Sequence, residues 1–136
     1  MVLDLSPLQK AVASLERALA RLAGAPGDEE LRDAVIKRFE YSFELSWKFL
    51  RRQLAEELPA APTVEAMSFA ELIREGARRG LIPDPERWFF YRTCRNLTAH
   101  TYDAAKAAQV AAAVPAFLAD AKKLLAELER RRGAAP

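Results

Sequence analysis

Histidine and cysteine are nearly missing from this chain: each occurs once in 136 residues. A lone cysteine, Cys94, can support neither an internal disulfide framework nor a cysteine-rich zinc site. A lone histidine, His100, cannot build a histidine metal cluster within one chain. β-Branched residues are also scarce, with six Val, three Ile and four Thr against 27 Ala. Ala is the best helix former and β-branched residues favour strands, so the composition predicts an all-α fold. No apolar run approaches the ~20 residues needed to cross a bilayer. The opening Met1-Val2-Leu3-Asp4 has neither the basic nor the apolar stretch of a secretory signal, so a cytoplasmic location with no membrane partner is expected. The 21 Lys and Arg against 19 Asp and Glu leave a formal charge of +2, too little for nucleic-acid binding through bulk charge. Any anion site must therefore be local.

What is present reads as an up-and-down bundle of about five helices with a four-helix-bundle-like core, in one domain spanning residues 1–136. Leu8, Val12, Leu15, Leu19 and Leu22 form one helical stripe, with Ser6 as its expected cap, Pro7 at the first helical position and Gly24-Ala25-Pro26-Gly27 as its stop. From about Asp28 to Glu57 the chain has neither Gly nor Pro, predicting a helix of about 45 Å. Its main apolar face is Leu31, Val35, Phe39, Phe43, Trp47, Leu50 and Leu54, and Glu44 stands four residues before Lys48, a favourable helical pair. Leu58 to Thr63 reads as a loop. Ser68 and Glu71 make a capping box for a short helix ending near Gly80, and Asp84-Pro85 opens another that frays between Leu97 and Thr101. Asp103 caps the last helix, where Pro115 predicts a kink or a break at Val114. A C-terminal tail, 132–136, is expected to be disordered.

Common catalytic signatures are absent: no Gly-rich phosphate loop, no H-E-x-x-H, no C-x-x-C and no serine nucleophile elbow. The candidate site is Arg87 to Tyr102, which holds Arg87, Arg92, Arg95, Asn96 and His100 among aromatic residues and contains no acid. Trp88, Arg92, Arg95, Ala99 and Tyr102 would share one face of a continuous helix. Arg95 and His100 stand about 140° apart on that helix, so they converge only if it loosens after Leu97 or a partner chain closes the gap.

Arg95-Asn96-Leu97-Thr98-Ala99-His100-Thr101-Tyr102 matches the R-x-x-x-x-H-x-Y motif of the HEPN superfamily. The run from Arg38 to Lys48 resembles the branch of nucleotidyltransferase substrate-binding proteins, and the similarity spans nearly the whole chain. That resemblance implies a HEPN-like helical bundle, usually a homodimer, paired with a minimal nucleotidyltransferase in a toxin–antitoxin-like system. It further implies metal-independent RNA cleavage by Arg95 and His100, with Asn96 assisting, and transfer of AMP from the partner to Tyr102. Arg92, from its place beside them, is a candidate for phosphate binding, while a solvated or salt-bridged role fits both Arg92 and Arg87 better than a catalytic one. No metal and no cofactor is called for. Arg is always charged and can donate to two phosphate oxygens at once, while His serves as acid or base near neutrality. A single His per chain favours a dimeric site, where two copies divide the proton transfers.

Quieter roles fit the same residues. Arg95 could pair with Glu44 or Glu40 across the bundle, His100 could bond a backbone carbonyl, and Tyr102 could be a packed aromatic. Cys94 reads as a small buried residue. Trp47, Phe39, Phe43, Trp88, Phe89 and Phe90 read as core or dimer contacts rather than stacking platforms. A non-catalytic nucleotide- or substrate-binding subunit of a nucleotidyltransferase is the alternative function, and a plain dimerisation module a third.

Overall fold

A computed structural model of the chain describes residues 3–59 and 61–134. In chain order it contains α1 (Ser6–Gly24), α2 (Glu29–Glu57), α3 (Ala61–Glu65), α4 (Phe69–Arg78), α5 (Pro85–Leu97), a 3₁₀ turn (Thr98–His100) and α6 (Ala104–Ala134). The described residues form no strand, and no helix is long and apolar enough to cross a membrane. Helix α2 is the spine: α1 and α6 pack along it, α5 lies against α6 and α2, and α4 rests on α5 and α2.

The local rules act where the sequence placed them, with instructive shifts. Asp28 caps α2 by accepting from Leu31 N at 3.1 Å, and Asp84 caps α5 by accepting from Glu86 N. Ser68 and Glu71 close the capping box, with Glu71 N donating to Ser68 Oγ at 3.2 Å and Ser68 Oγ to Glu71 Oε1 at 3.1 Å. Asp103 Oδ1 accepts from Ala105 N at 2.9 Å. Helix α4 ends through Gly80 at φ 78°. There Leu81 N reaches Gly76 O at 2.8 Å, a left-handed stop that a Cβ would strain. At α1 the expected cap is displaced: Leu5 holds that position because its side chain is fully buried, and Ser6 N donates to Asp4 Oδ1 instead. The segment read as a loop contains α3, whose second residue, Pro62, sits where a missing N–H breaks no helical bond. Helix α6 carries Pro115 inside it without a break. The residue lies on the exposed side, where water can satisfy the carbonyl that loses its partner. That helix continues to Ala134; the remainder of the expected tail, 135–136, lies outside the described residues.

The core is an aromatic cluster from three helices. Phe117 of α6 meets Phe39 of α2 edge-on at 5.0 Å between ring centroids and Tyr91 of α5 at 5.3 Å, while Trp88 packs against Tyr91 at 5.6 Å. Each such pair adds roughly 0.5–1.5 kcal/mol beyond its buried area. On α2 the buried face differs from the apolar list. Ser42 and Ser46 are fully buried, whereas Leu31 and Trp47 are only partly so. Small side chains let α1 approach closely here, and the two hydroxyls are satisfied by backbone, Ser42 Oγ donating to Ala11 O at 3.3 Å and Ser46 Oγ to Ser42 O at 2.7 Å. On α6 the inner stripe is Val110, Val114, Phe117, Ala121, Leu124 and Leu128, with Leu118 and Leu125 at its margin.

Candidate functional site

The residues singled out by sequence gather where α5 gives way to the 3₁₀ turn, facing the middle of α2. Helix α5 buries Trp88, Tyr91 and Cys94, and burial pushes the Cys94 thiol up from its ordinary pKa. Helix α5 is uninterrupted from Pro85 to Leu97, so Trp88, Arg92 and Arg95 lie on one side of it, with Trp88 buried at 1% exposure and Arg92, Arg95 and Asn96 reaching solvent. The helix tightens at Thr98, which ends the alignment before Tyr102.

Arg95 is held on three sides. Its Nε donates to Glu44 Oε1 at 3.1 Å, its Nη1 to Thr98 Oγ1 at 3.1 Å, and its Nη2 lies 4.0 Å from Glu40 Oε1. Thr98 Oγ1 in turn donates to Arg95 O at 2.7 Å, tying the guanidinium to the helix end. The cross-bundle ion pair thus forms, but not as a buried one: Arg95, Glu44 and Glu40 all keep about a third of their side chains in solvent. Screening there leaves the pairs little weight in stability, and their effect is to orient the guanidinium. Because Glu44 serves Arg95, the expected Glu44–Lys48 pair does not form; the Lys48 ammonium lies 5.9 Å from the Trp47 ring.

One recess is lined by Arg95 itself and another by its partners Glu40 and Thr98. The first, about 350 Å³, lies between α2, α4 and α5 and is lined by Trp47, Arg51, Phe69, Arg92, Arg95 and Asn96 among others. The second, about 300 Å³, is lined by Asp33, Lys37, Glu40, Thr98, Thr101 and Tyr102. His100 is exposed and meets Tyr102 edge-on at 6.1 Å; Tyr102 itself is 85% exposed. Among the described residues no hydrogen bond joins Arg95 to His100, and after Leu97 the chain winds into a 3₁₀ turn, which is tighter than the α-helix and not the loosening expected to bring them together. The geometry therefore offers a fixed cation, a free imidazole and an accessible phenol at one helix end.

Other polar features escaped the sequence reading. Asp120, 3% exposed, accepts from the Tyr91 hydroxyl and pairs with Arg87 Nε at 2.9 Å. Burial, reinforced by that hydrogen bond, pushes the Tyr91 phenol up to about 12. Arg87 is thus a structural partner of α6. Trp47, Arg51 and Phe69 also went unassigned to the site; the one-turn spacing of Trp47 and Arg51 was the available signal. No group of three or more His, Cys, Asp or Glu among the described residues is placed to hold a metal ion.

Comparison with known proteins gives a consistent setting. The family described as "Nucleotidyltransferase substrate binding protein like" matches residues 3–130. A Haemophilus influenzae protein named "Probable ribonuclease HepT" is 35% identical over 137 residues, covering 95% of this chain and 94% of that protein. A solved Haemophilus influenzae structure, described as revealing the fold of a substrate binding domain of a nucleotidyltransferase, superposes with a TM-score of 0.87 at 34% identity, covering 93% of this chain and 99% of that one. A crystal structure from Thermus thermophilus gives a TM-score of 0.63 at 31% identity, covering 84% and 98% of the two chains.

Proposed function

From the premise that the chain belongs to the nucleotidyltransferase substrate binding protein like family, we propose that it is a metal-independent endoribonuclease paired with a minimal nucleotidyltransferase in a toxin–antitoxin-like system. In this reading Arg95 and His100 are the catalytic groups, and two copies of the chain complete one cleft. The observation that carries it is the helix end itself: Arg95 held by Glu44 and Thr98 on the same short segment as an exposed imidazole. The likeness to a protein named as a ribonuclease adds support.

The chemistry is a transesterification. The ribose 2′-oxygen attacks phosphorus, the bond to the 5′-oxygen breaks, and a 2′,3′-cyclic phosphate is left. His100 of one copy takes the 2′-hydroxyl proton, and His100 of the other gives a proton to the departing 5′-oxygen. Arg95 donates to the non-bridging oxygens as negative charge builds on them, its direction already fixed by Glu44. Asn96 and Arg92 hold the neighbouring phosphate. Tyr102, with its hydroxyl in solvent, is the acceptor for AMP from the partner enzyme: the phenol oxygen attacks the α-phosphorus of ATP and pyrophosphate leaves. An adenylyl group beside His100 would obstruct the cleft.

RNA incubated with the purified protein in EDTA should yield fragments with cyclic phosphate ends. After incubation with ATP and the partner, mass spectrometry should find one added AMP on Tyr102. Intact RNA would refute the first assignment, and labelling confined to another residue the second.

A second reading has its own observation. Arg95 is shared between two carboxylates, as a positioning role would require, and it borders a recess of small-ligand size. A non-catalytic nucleotide-binding subunit would bind nucleotide through that recess and leave RNA intact.

A further inference from the structure

The recess between α2, α4 and α5 has a composition that neither the motif nor the family description uses. Trp47 and Phe69 meet edge-on at 6.2 Å with an interplanar angle of 84°, forming an aromatic corner. The Arg51 guanidinium lies 5.2 Å from the Trp47 ring centroid, and that of Arg92 lies 4.7 Å from the Phe69 centroid. Elsewhere Arg79, Arg87 and Arg131 fasten helices together through carboxylates, and Arg38 joins α2 to α1 through the Ser14 carbonyl at 2.8 Å. Arg51 and Arg92 have no carboxylate partner among the described residues. The acid lining their recess, Glu44, is already held by Arg95.

Two guanidinium groups without counter-ions, resting on aromatic faces at the mouth of a 350 Å³ cleft, suit a ligand that is both anionic and planar. A guanidinium resting on a ring can swing to a phosphate and expose the ring to a base, exchanging one stacking contact for another. The volume lies at the lower end of the range for small-ligand sites, enough for one nucleotide and too confined for a folded partner. Asn96 at the lining offers both a donor and an acceptor to a base edge.

We propose that this cleft is a nucleotide subsite for single-stranded RNA, with an unpaired base stacking on Trp47 and its phosphate bound by Arg51 and Arg92. Because Arg95 borders the same cleft, the bound nucleotide lies next to the bond to be cut; that adjacency, and the identity of the strand as a substrate, rest on the ribonuclease reading. Arg51, Trp47 and Phe69 thereby become substrate-positioning residues.

Trp47 and Trp88 are the two tryptophans of the chain, and Trp88 is buried. Titration of the full-length protein with a short oligouridylate should therefore quench Trp47 fluorescence, and the quenching should vanish in Trp47→Phe. Anisotropy with the labelled oligonucleotide should show Arg51→Ala weakening binding about tenfold, the scale of losing one charge-assisted phosphate contact, whereas Arg17→Ala, which removes the same charge from exposed α1 surface, should change it less than twofold. Equal effects of Arg51→Ala and Arg17→Ala, or quenching that persists in Trp47→Phe, would overturn the subsite. Oligouridylate binding that depends on Arg51, in a protein that cleaves no RNA, would uphold the subsite and discard the ribonuclease reading. Cleavage that requires His100 but is indifferent to Arg51 at low RNA concentration would do the reverse.

Discussion

Two charged stretches of α2, its middle and its C-terminal end, are treated in opposite ways. At its C-terminal end, Glu57 accepts from Arg131 Nη1 through both oxygens, at 2.8 and 2.7 Å, and from Gln53 at 2.7 Å. Arg131 also donates to Glu127 at 2.9 Å and to the carbonyl of Arg79. The ends of α2, α4 and α6 are thereby fastened together. In the middle of α2, by contrast, Glu40 and Glu44 hold one arginine in a half-exposed setting, Arg51 and Arg92 rest on rings, and His100 and Tyr102 stand in solvent. The first region uses charge to close the bundle. The second leaves cations and titratable groups available, and under the proposed function that difference separates structural arginines from functional ones better than residue type does.

Substitutions should sort by region. The largest effect expected is on chemistry: Arg95→Ala should lower RNA cleavage by about 10²–10³-fold, the range for removing a donor to a developing oxyanion, while thermal unfolding shifts by less than about 2 °C because the ion pair is solvent-screened. A large loss of stability with cleavage intact would place Arg95 in the fastening class instead. Next, Asp120→Ala should destabilise the protein by about 3 kcal/mol in urea unfolding, since it removes a buried carboxylate and strands the Tyr91 hydroxyl. Arg131→Ala should cost about 1–2 kcal/mol, leave RNA cleavage unchanged, and so mark the closed end as structural. Acid sharpens the same contrast. Glu127, hydrogen-bonded by Arg130 and Arg131, is held at about 2 against an ordinary 4.5. Its folded pKa is depressed, so its contribution is complete above about pH 4.5 and is lost as pH falls toward 2. Glu127→Gln should flatten that acid limb of the stability profile. The smallest effect belongs to Gly80→Ala, about 1 kcal/mol from the positive φ.

Much of this arrangement was legible before the structure. The caps at Ser68, Asp84 and Asp103 follow local chemistry that no tertiary contact overrides, and α5 ends at Leu97, where the sequence was expected to fray. What stayed hidden depended on partners distant in the chain. Ser42 and Ser46 read as polar, yet they are buried because α1 needs small side chains to approach. Asp120 carries no local signal, yet it meets Tyr91 and Arg87 from another helix. Trp47 reads as core, yet α4 and α5 leave a recess beside it that no periodicity could announce. The pairing of Arg95 with Glu44 lay between these cases: composition raised it, and only packing could choose it over Glu44–Lys48.

The central claim is that the imidazole at the end of α5 performs proton transfer on RNA. Time courses of RNA cleavage in EDTA, measured side by side for the wild-type protein and His100→Ala with matched melting temperatures, test it most directly. The account predicts cyclic phosphate products from the wild type and a rate at least about 10²-fold lower in the variant. Equal rates in the two proteins would contradict it.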